Sequence, residues 1–354
     1  MPCPALATYN LTFLCQQLFS SSLKHINILV LLTNMDNFTS LIVQERAVEL
    51  LTQAVERNRI APGYLFVGSN GIGKSLAAQS FIELLFSANL PETRLIASVQ
   101  NRVRQRNHPD LLWVEPTYMN QGKRLTPKEA EEAGLKRKAP PQIRLEQVRE
   151  IGDFLSRPPL EAARSVVVLE QAETMGEGAA NGLLKTLEEP GKAALVLIAP
   201  TVEVLLPTLI SRCQKIQFSR LNPQAMAQVL QQAGFAEILS HPEVLGMAQG
   251  SPGEAIAIWQ QLQSIPDDLL QKVKQLPQNL RSALELAKEI DKTLDTESQL
   301  WLIDYLQHCY WQQFLAGGIS RSPLEPLEKA RQYLLNYVQP RLVWECTLMG
   351  ICQA

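Results

Sequence analysis

From Glu45 to Asn58 apolar side chains recur at Ala47, Leu50, Leu51, Ala54 and Val55, the three-and-four spacing of one helical face. Tyr64-Leu65-Phe66-Val67 is then an uninterrupted apolar run that stops at Gly68, and helical periodicity resumes from Leu76 to Phe86. The predicted order is helix, strand, glycine loop, helix. Further buried strands are expected at Leu111–Val114, Ser165–Leu169 and Ala194–Ala199. Continuously apolar strands separated by helical stretches specify a parallel sheet covered on both faces. Beyond Phe218 the pattern is helical throughout, with breaks at Ser251-Pro252-Gly253, Pro266, Pro277 and Pro323. Leu280, Leu284, Ala287, Ile290 and Leu294 mark one amphipathic helix of that half. The expected fold is an α/β phosphate-loop domain with a parallel sheet, followed by a small helical lid and an all-helical C-terminal domain.

The boundaries follow these changes of pattern. Residues 1–34 are expected to be a non-structural extension, because Met35 opens a stretch that reads as a domain start and the apolar run Ile26–Leu32 is only seven residues long. A membrane span needs ~20 apolar residues, and no basic leader or small-residue cleavage site accompanies the run. Residues 35–219 form the α/β domain, 220–265 the lid and 266–354 the terminal helical domain. Between Arg94 and Arg144 stand eleven Lys or Arg against five Asp or Glu, including Lys136-Arg137-Lys138. Residues 115–142 are read as a solvated basic insertion, with a contact for DNA or a partner as the competing reading.

Composition narrows the class. The chain has 354 residues, 46% of them hydrophobic, enough for two or three packed domains. A net charge of −2 excludes nucleic-acid binding through bulk positive charge, so any DNA contact is local. Six cysteines without CxxC spacing give neither a disulfide framework nor a zinc module, and suit a reducing cytoplasm.

The chemistry is concentrated in Gly68-Ser69-Asn70-Gly71-Ile72-Gly73-Lys74-Ser75, which satisfies G-x-x-x-x-G-K-[ST] between a predicted strand and helix. In such a loop backbone N–H groups and the helix N-terminus surround phosphate oxygens, the lysine meets the β- and γ-phosphates, and the serine hydroxyl holds Mg²⁺. ATP with Mg²⁺ held through Ser75 is therefore the expected ligand. Hydrolysis also needs carboxylates at the end of a neighbouring strand. After Val166–Leu169 come Glu170, Gln171, Ala172 and Glu173. Glu170 can reach Mg²⁺ through water, but Gln171 cannot take a proton from attacking water. The site reads as able to bind and poor at turnover; a cap on the following helix competes as the role of Glu173.

Four fragments in one order carry a resemblance: this loop, His108-Pro109-Asp110, Leu183-Leu184-Lys185-Thr186-Leu187-Glu188-Glu189-Pro190, and Ser211-Arg212-Cys213. From about Phe38 to Leu221 the chain resembles the delta-prime subunits of the bacterial DNA polymerase III clamp loader, members of the AAA+ ATPases. The resemblance implies a hetero-oligomeric ring with tau/gamma- and delta-type subunits, which opens a sliding clamp and places it on primed DNA. The helical C-terminal domains would form its collar. It also implies that Arg212 completes the ATP site of a neighbouring subunit in trans. A planar, always-charged guanidinium suits the charge on a transferring phosphoryl group. The competing reading of Arg212 is a salt bridge at a strand end. Any nucleotidyltransferase activity would belong to the holoenzyme.

Departures from that family are expected to matter. The cysteine cluster through which many delta-prime chains bind zinc is missing, since no cysteine lies between Cys15 and Cys213, so no zinc is expected. Ala199 or Pro200 stands where active loaders place a hydroxyl, with Thr201 nearest, and Pro252-Gly253-Glu254 replaces the lid arginine. His108 is read as ordering a turn into the next strand. The alternative to a ring-bracing subunit is a self-sufficient AAA+ ATPase, a motor clamp-loader subunit or a Holliday-junction helicase. Gln171 speaks against it.

Overall fold

The structure is a computed structural model that describes residues 41–42, 44–88, 90, 93–134, 140–275, 277–317 and 324–352. The expected extension 1–34, the Met35 start and Lys136-Arg137-Lys138 lie outside them. The chain divides between Arg220 and Leu221 into two compact units.

In the first unit helix α1 (Glu45–Glu56) leads to strand β1 (Gly63–Val67), the phosphate loop and helix α2 (Lys74–Ser87). There follow α3 (Thr93–Arg104), β2 (Leu111–Val114), the hairpin β3 (Tyr118–Asn120) and β4 (Lys123–Leu125), α4 (Pro127–Glu132), α5 (Leu145–Leu155), β5 (Ser165–Leu169), α6 (Glu177–Glu188), β6 (Ala193–Ala199), α7 (Pro207–Ile210) and β7 (Gln214–Gln217). Five strands make one parallel sheet in the order β2-β5-β6-β1-β7. Every residue of β1, β5 and β6 is buried, as a sheet covered on both faces requires. Phe66, Phe81, Val168 and Ile198 belong to the core on one face, and Leu65, Val167, Leu183 and Leu197 to the core on the other.

Two features go beyond these expectations. Part of the segment read as a solvated insertion is folded: β3 and β4 pair as a hairpin, Ala130 of α4 is buried, and Arg124 makes a two-pronged ion pair with Glu150 of α5. Strand β7, with only Ile216 buried among Gln214, Lys215 and Gln217, carries too little apolar signal to be seen in advance.

The second unit is helical: α8 (Pro223–Gln232), α9 (Pro242–Ala248), α10 (Pro252–Ser264), α11 (Asp267–Lys274), α12 (Leu280–Thr293), α13 (Thr296–Leu315), α14 (Leu324–Leu335) and α15 (Pro340–Cys352). Asn222, Ser251, Asn279 and Asp295 each cap a helix by accepting a backbone N–H three residues on. The buried face of α12 is Ala283, Leu286, Ala287 and Ile290, whereas Leu280 and Leu284 face outward. The expected stripe was thus rotated toward solvent at its start, because two leucines outweighed an alanine in the pattern. The buried indole Nε1 of Trp344 donates to Gln299 Oε1 at 2.9 Å, and Gln299 Nε2 donates to Leu294 O, tying α15 to α13.

Candidate nucleotide site

The sheet brings the phosphate loop and the end of β5 together at the carboxyl ends of the strands, where ligands sit in open α/β sheets. Gly68, Gly71 and Gly73 have φ of 152°, 70° and 96°, so the loop takes turns that side chains oppose. At Gly68 a Cβ would also stand 2.5 Å from Ile72 and 2.7 Å from the carbonyl of Phe218. The Gly68 N–H donates to Pro200 O at 3.1 Å, hanging the loop from the end of β6. Lys74 is 6% exposed, and its ammonium donates to the carbonyls of Gly68 and Ser69, the latter at 2.8 Å. A cavity of about 380 Å³ is lined by Asn70, Gly71, Gly73, Lys74, Ser75, Leu76, Glu170, Gln171 and Ile198. Left-handed glycines, a buried ammonium and a helix N-terminus facing this space fit a polyphosphate with its metal. Ser75, at the second position of α2, and Glu170, just beyond β5, are the residues that would hold the metal.

Around this cradle stand groups that motif reading missed. Arg220 Nε donates to Ser69 Oγ at 3.0 Å. Arg106 Nη2 donates to Glu170 Oε1 at 3.3 Å, while its Nη1 pairs with Glu115 and its guanidinium lies 4.2 Å from the centre of the Trp113 ring. Neither partnership has a spacing rule to betray it. Gln171 adopts a left-handed φ of 49° and lines the cavity beside Glu170. Glu173 lies in a 3-10 turn, Ala172–Thr174, ahead of α6 and does not cap that helix. Burial pushes its carboxyl above the ordinary range, against an opposing pull from Lys74, and its Oε2 has no hydrogen-bond partner. Thr201, the nearest hydroxyl beyond β6, is engaged with Glu203.

Arg212 is elsewhere. It lies between α7 and β7, with its backbone carbonyl 3.4 Å from where a Cβ on Gly63 would stand, at the amino end of β1. Its own phosphate loop begins past the other end of that strand, about 13 Å away at ~3.3 Å per residue. The guanidinium is exposed and donates to Glu188 Oε1 at 2.5 Å and to Thr208 O at 2.9 Å. Glu188 belongs to the Leu183–Pro190 segment, so two of the four motif fragments meet in one ion pair.

His108-Pro109-Asp110 serves a turn, as expected of His108. The Asp110 N–H donates to His108 Nδ1 at 3.2 Å, and the Leu111 N–H to His108 O. The buried Asp110 carboxylate accepts the N–H groups of Leu160, Glu161 and Ala162 at 2.6, 2.8 and 2.7 Å. Burial pulls its pKa upward, but the three donors outweigh this and hold it below the ordinary value. Burial lowers that of His108, with nearby Arg102 acting in the same direction.

A family model described as DNA polymerase III, delta subunit, matches residues 43–222, just over half of the chain. A second, for the C-terminal domain of cyanobacterial DNA polymerase III delta prime, matches residues 224–351. The chain belongs to the DNA polymerase III delta-prime family. It is 33% identical over 191 residues to the delta-prime subunit of Bacillus subtilis, covering 52% of this chain and 50% of that one. To the delta-prime subunit of Pseudomonas aeruginosa it is 34% identical over 167 residues, 46% and 45% of the two chains. It thus spans about half the length of these curated relatives. A DNA polymerase III gamma subunit-related protein from Thermotoga maritima superposes with a TM-score of 0.46 at 18% identity, covering 86% of this chain and 98% of that one. That likeness is too slight to add to the fold described above. Among the described residues no three or more His, Cys, Asp or Glu are grouped to hold a metal ion, and no helix is long and apolar enough to cross a membrane.

Proposed function

We propose that this delta-prime chain is a bracing subunit of a hetero-oligomeric clamp loader, which places a sliding clamp on primed DNA. Tau/gamma- and delta-type subunits are its ring partners. The observation that carries the reading is the separation of Arg212 from its own phosphate loop by the length of β1. An exposed guanidinium at that end of the sheet suits a phosphate bound on another chain. Glu188 is its resting partner in the free chain, and an exposed pair of this kind gives way at little cost.

The chain's own loop binds ATP through its N–H groups and Lys74, with Ser75 and Glu170 the residues that would hold Mg²⁺, and turns it over poorly. Support comes from Gln171, which cannot act as a base, from the engaged Thr201 and from the absence of an arginine at Pro252-Gly253-Glu254. Residues 220–265 act as lid and 266–354 as collar, the cytoplasm is the working compartment, and zinc has no role. Reconstitution with the other loader subunits tests the reading. Clamp loading on primed DNA should require this chain, and the purified chain alone should show negligible ATP turnover. Vigorous turnover by the chain alone would favour a self-sufficient ATPase.

A further inference from the structure

The carboxylate best placed to serve a metal at the phosphate loop already has a cationic partner. Arg106 lies in the turn between α3 and β2 with a left-handed φ of 56°, and its N–H donates to Val103 O at 2.9 Å. Its side chain has two anchors that do not involve the nucleotide site: the ion pair with Glu115 and the face of Trp113, 4.2 Å away. The fork is therefore held in place before Glu170 is considered. Glu170 is fixed from its own side, because its N–H donates to Val114 O at 2.9 Å as the last rung between β2 and β5. A preplaced cation thus meets a preplaced carboxylate at 3.3 Å, with Glu170 only 19% exposed and lining the same cavity as Lys74 and Ser75.

We propose that Arg106 is a positioning residue that withholds Glu170 from the metal accompanying a nucleotide. This rests on the phosphate-loop reading above and adds to it a reason, within the chain, for weak use of Mg²⁺. A carboxylate shared with a guanidinium offers a metal or its water shell a weaker negative field, and drawing it away costs a charge-assisted hydrogen bond. The next side chain, Gln171, is neutral and supplies no replacement. Phosphate recognition then falls to the loop N–H groups and Lys74, which need no metal.

The test is equilibrium binding of ATP to the full chain, titrated in EDTA and in excess Mg²⁺. The wild-type affinity should change less than about twofold between the two conditions. Arg106→Met keeps an apolar stem over Trp113 and removes the charge, so Mg²⁺ should then strengthen binding by roughly tenfold, the worth of one charge-assisted bond. Arg106→Lys, charged but without the fork, should fall between, and adding Glu170→Gln to Arg106→Met should abolish the gain. Thermal melts establish that each variant is folded. A wild-type chain whose binding already depends tenfold on Mg²⁺, or an Arg106→Met chain as indifferent to Mg²⁺ as the wild type, overturns the assignment. ATP binding absent from the wild type and from every variant overturns the phosphate-loop reading itself, and this one with it.

Discussion

The two ends of the parallel sheet use the same strands in opposite ways. At the carboxyl end the chain turns through Gly68, Gly71 and Gly73 at positive φ around an open cavity. At the amino end the space is closed: Gly63 is walled by Leu187 and Cys213, Asp110 binds three N–H groups of one loop, and Arg212 is paired with Glu188. One end keeps backbone geometry that a ligand can complete, and the other has completed itself with side chains. The lesson is that replacements of the polar side chains lining the cavity, as distinct from the strained glycines, should cost little in stability and fail in binding. The amino end should divide, with Asp110 governing stability and Arg212 governing the neighbour.

The largest effect that would break this division is expected at Arg212. Arg212→Ala in a reconstituted loader should lower DNA-stimulated ATPase by on the order of 10³-fold. The isolated chain should melt within about 1 kcal/mol of wild type, since an exposed pair contributes little. Lysine should rescue poorly, having no fork. Normal loading by the alanine variant, or an isolated chain that no longer folds, would return Arg212 to a purely structural role.

Lys74→Ala comes next. Losing the buried ammonium should weaken ATP binding by roughly 100-fold, about 2.7 kcal/mol, while clamp loading stays largely intact. Loading as poor as that of a ring lacking the subunit would show instead that this site turns over nucleotide.

At Asp110 the prediction is stability. Asp110→Asn leaves backbone donors of Leu160, Glu161 and Ala162 with a neutral acceptor, at a cost of about 2 kcal/mol in denaturant unfolding. The pH dependence has a definite sign. Asp110 ionises more readily folded than unfolded, so its contribution is complete above the ordinary 3.8 and is lost as pH falls through the lower folded value. His108 accepts a proton less readily folded than unfolded, so protonation of the unfolded chain below the ordinary 6.5 also favours unfolding. Acid should therefore destabilise the protein in two stages, and Asp110→Asn should flatten only the lower one. A single-stage profile unchanged by the variant would contradict this.

The smallest effect concerns Cys213, whose thiol burial pushes up to about 11. At pH 8 it should react with iodoacetamide far more slowly than exposed Cys346, as read by mass spectrometry of the native chain. Equal labelling would mean that the amino end opens in solution.

What could be read ahead of the structure was local. The strands at 63–67, 165–169 and 193–199 announce themselves because both their faces are buried, that at 111–114 because all four of its residues are apolar, and the phosphate loop because its glycines have fixed intervals. Strand β7 was silent because a single isoleucine does its packing. The partners that tune the site were silent for another reason. Arg106 reaches Glu170 across 64 positions and Arg220 reaches Ser69 across 151, and no periodicity links residues so far apart. The role of Asp110 was half visible, since the motif marked the residue but not the loop it holds.

Arg220 is also the last residue of the first unit, and this bears on how the molecule can be cut. A fragment ending at Ser219 would keep every strand and the whole glycine loop, yet leave the Ser69 hydroxyl without the guanidinium that now donates to it. One ending at Arg220 retains it. For anyone expressing the phosphate-loop half by itself, the choice of stop codon is a choice about the architecture of its ligand site, made at a position that lies outside every element of secondary structure.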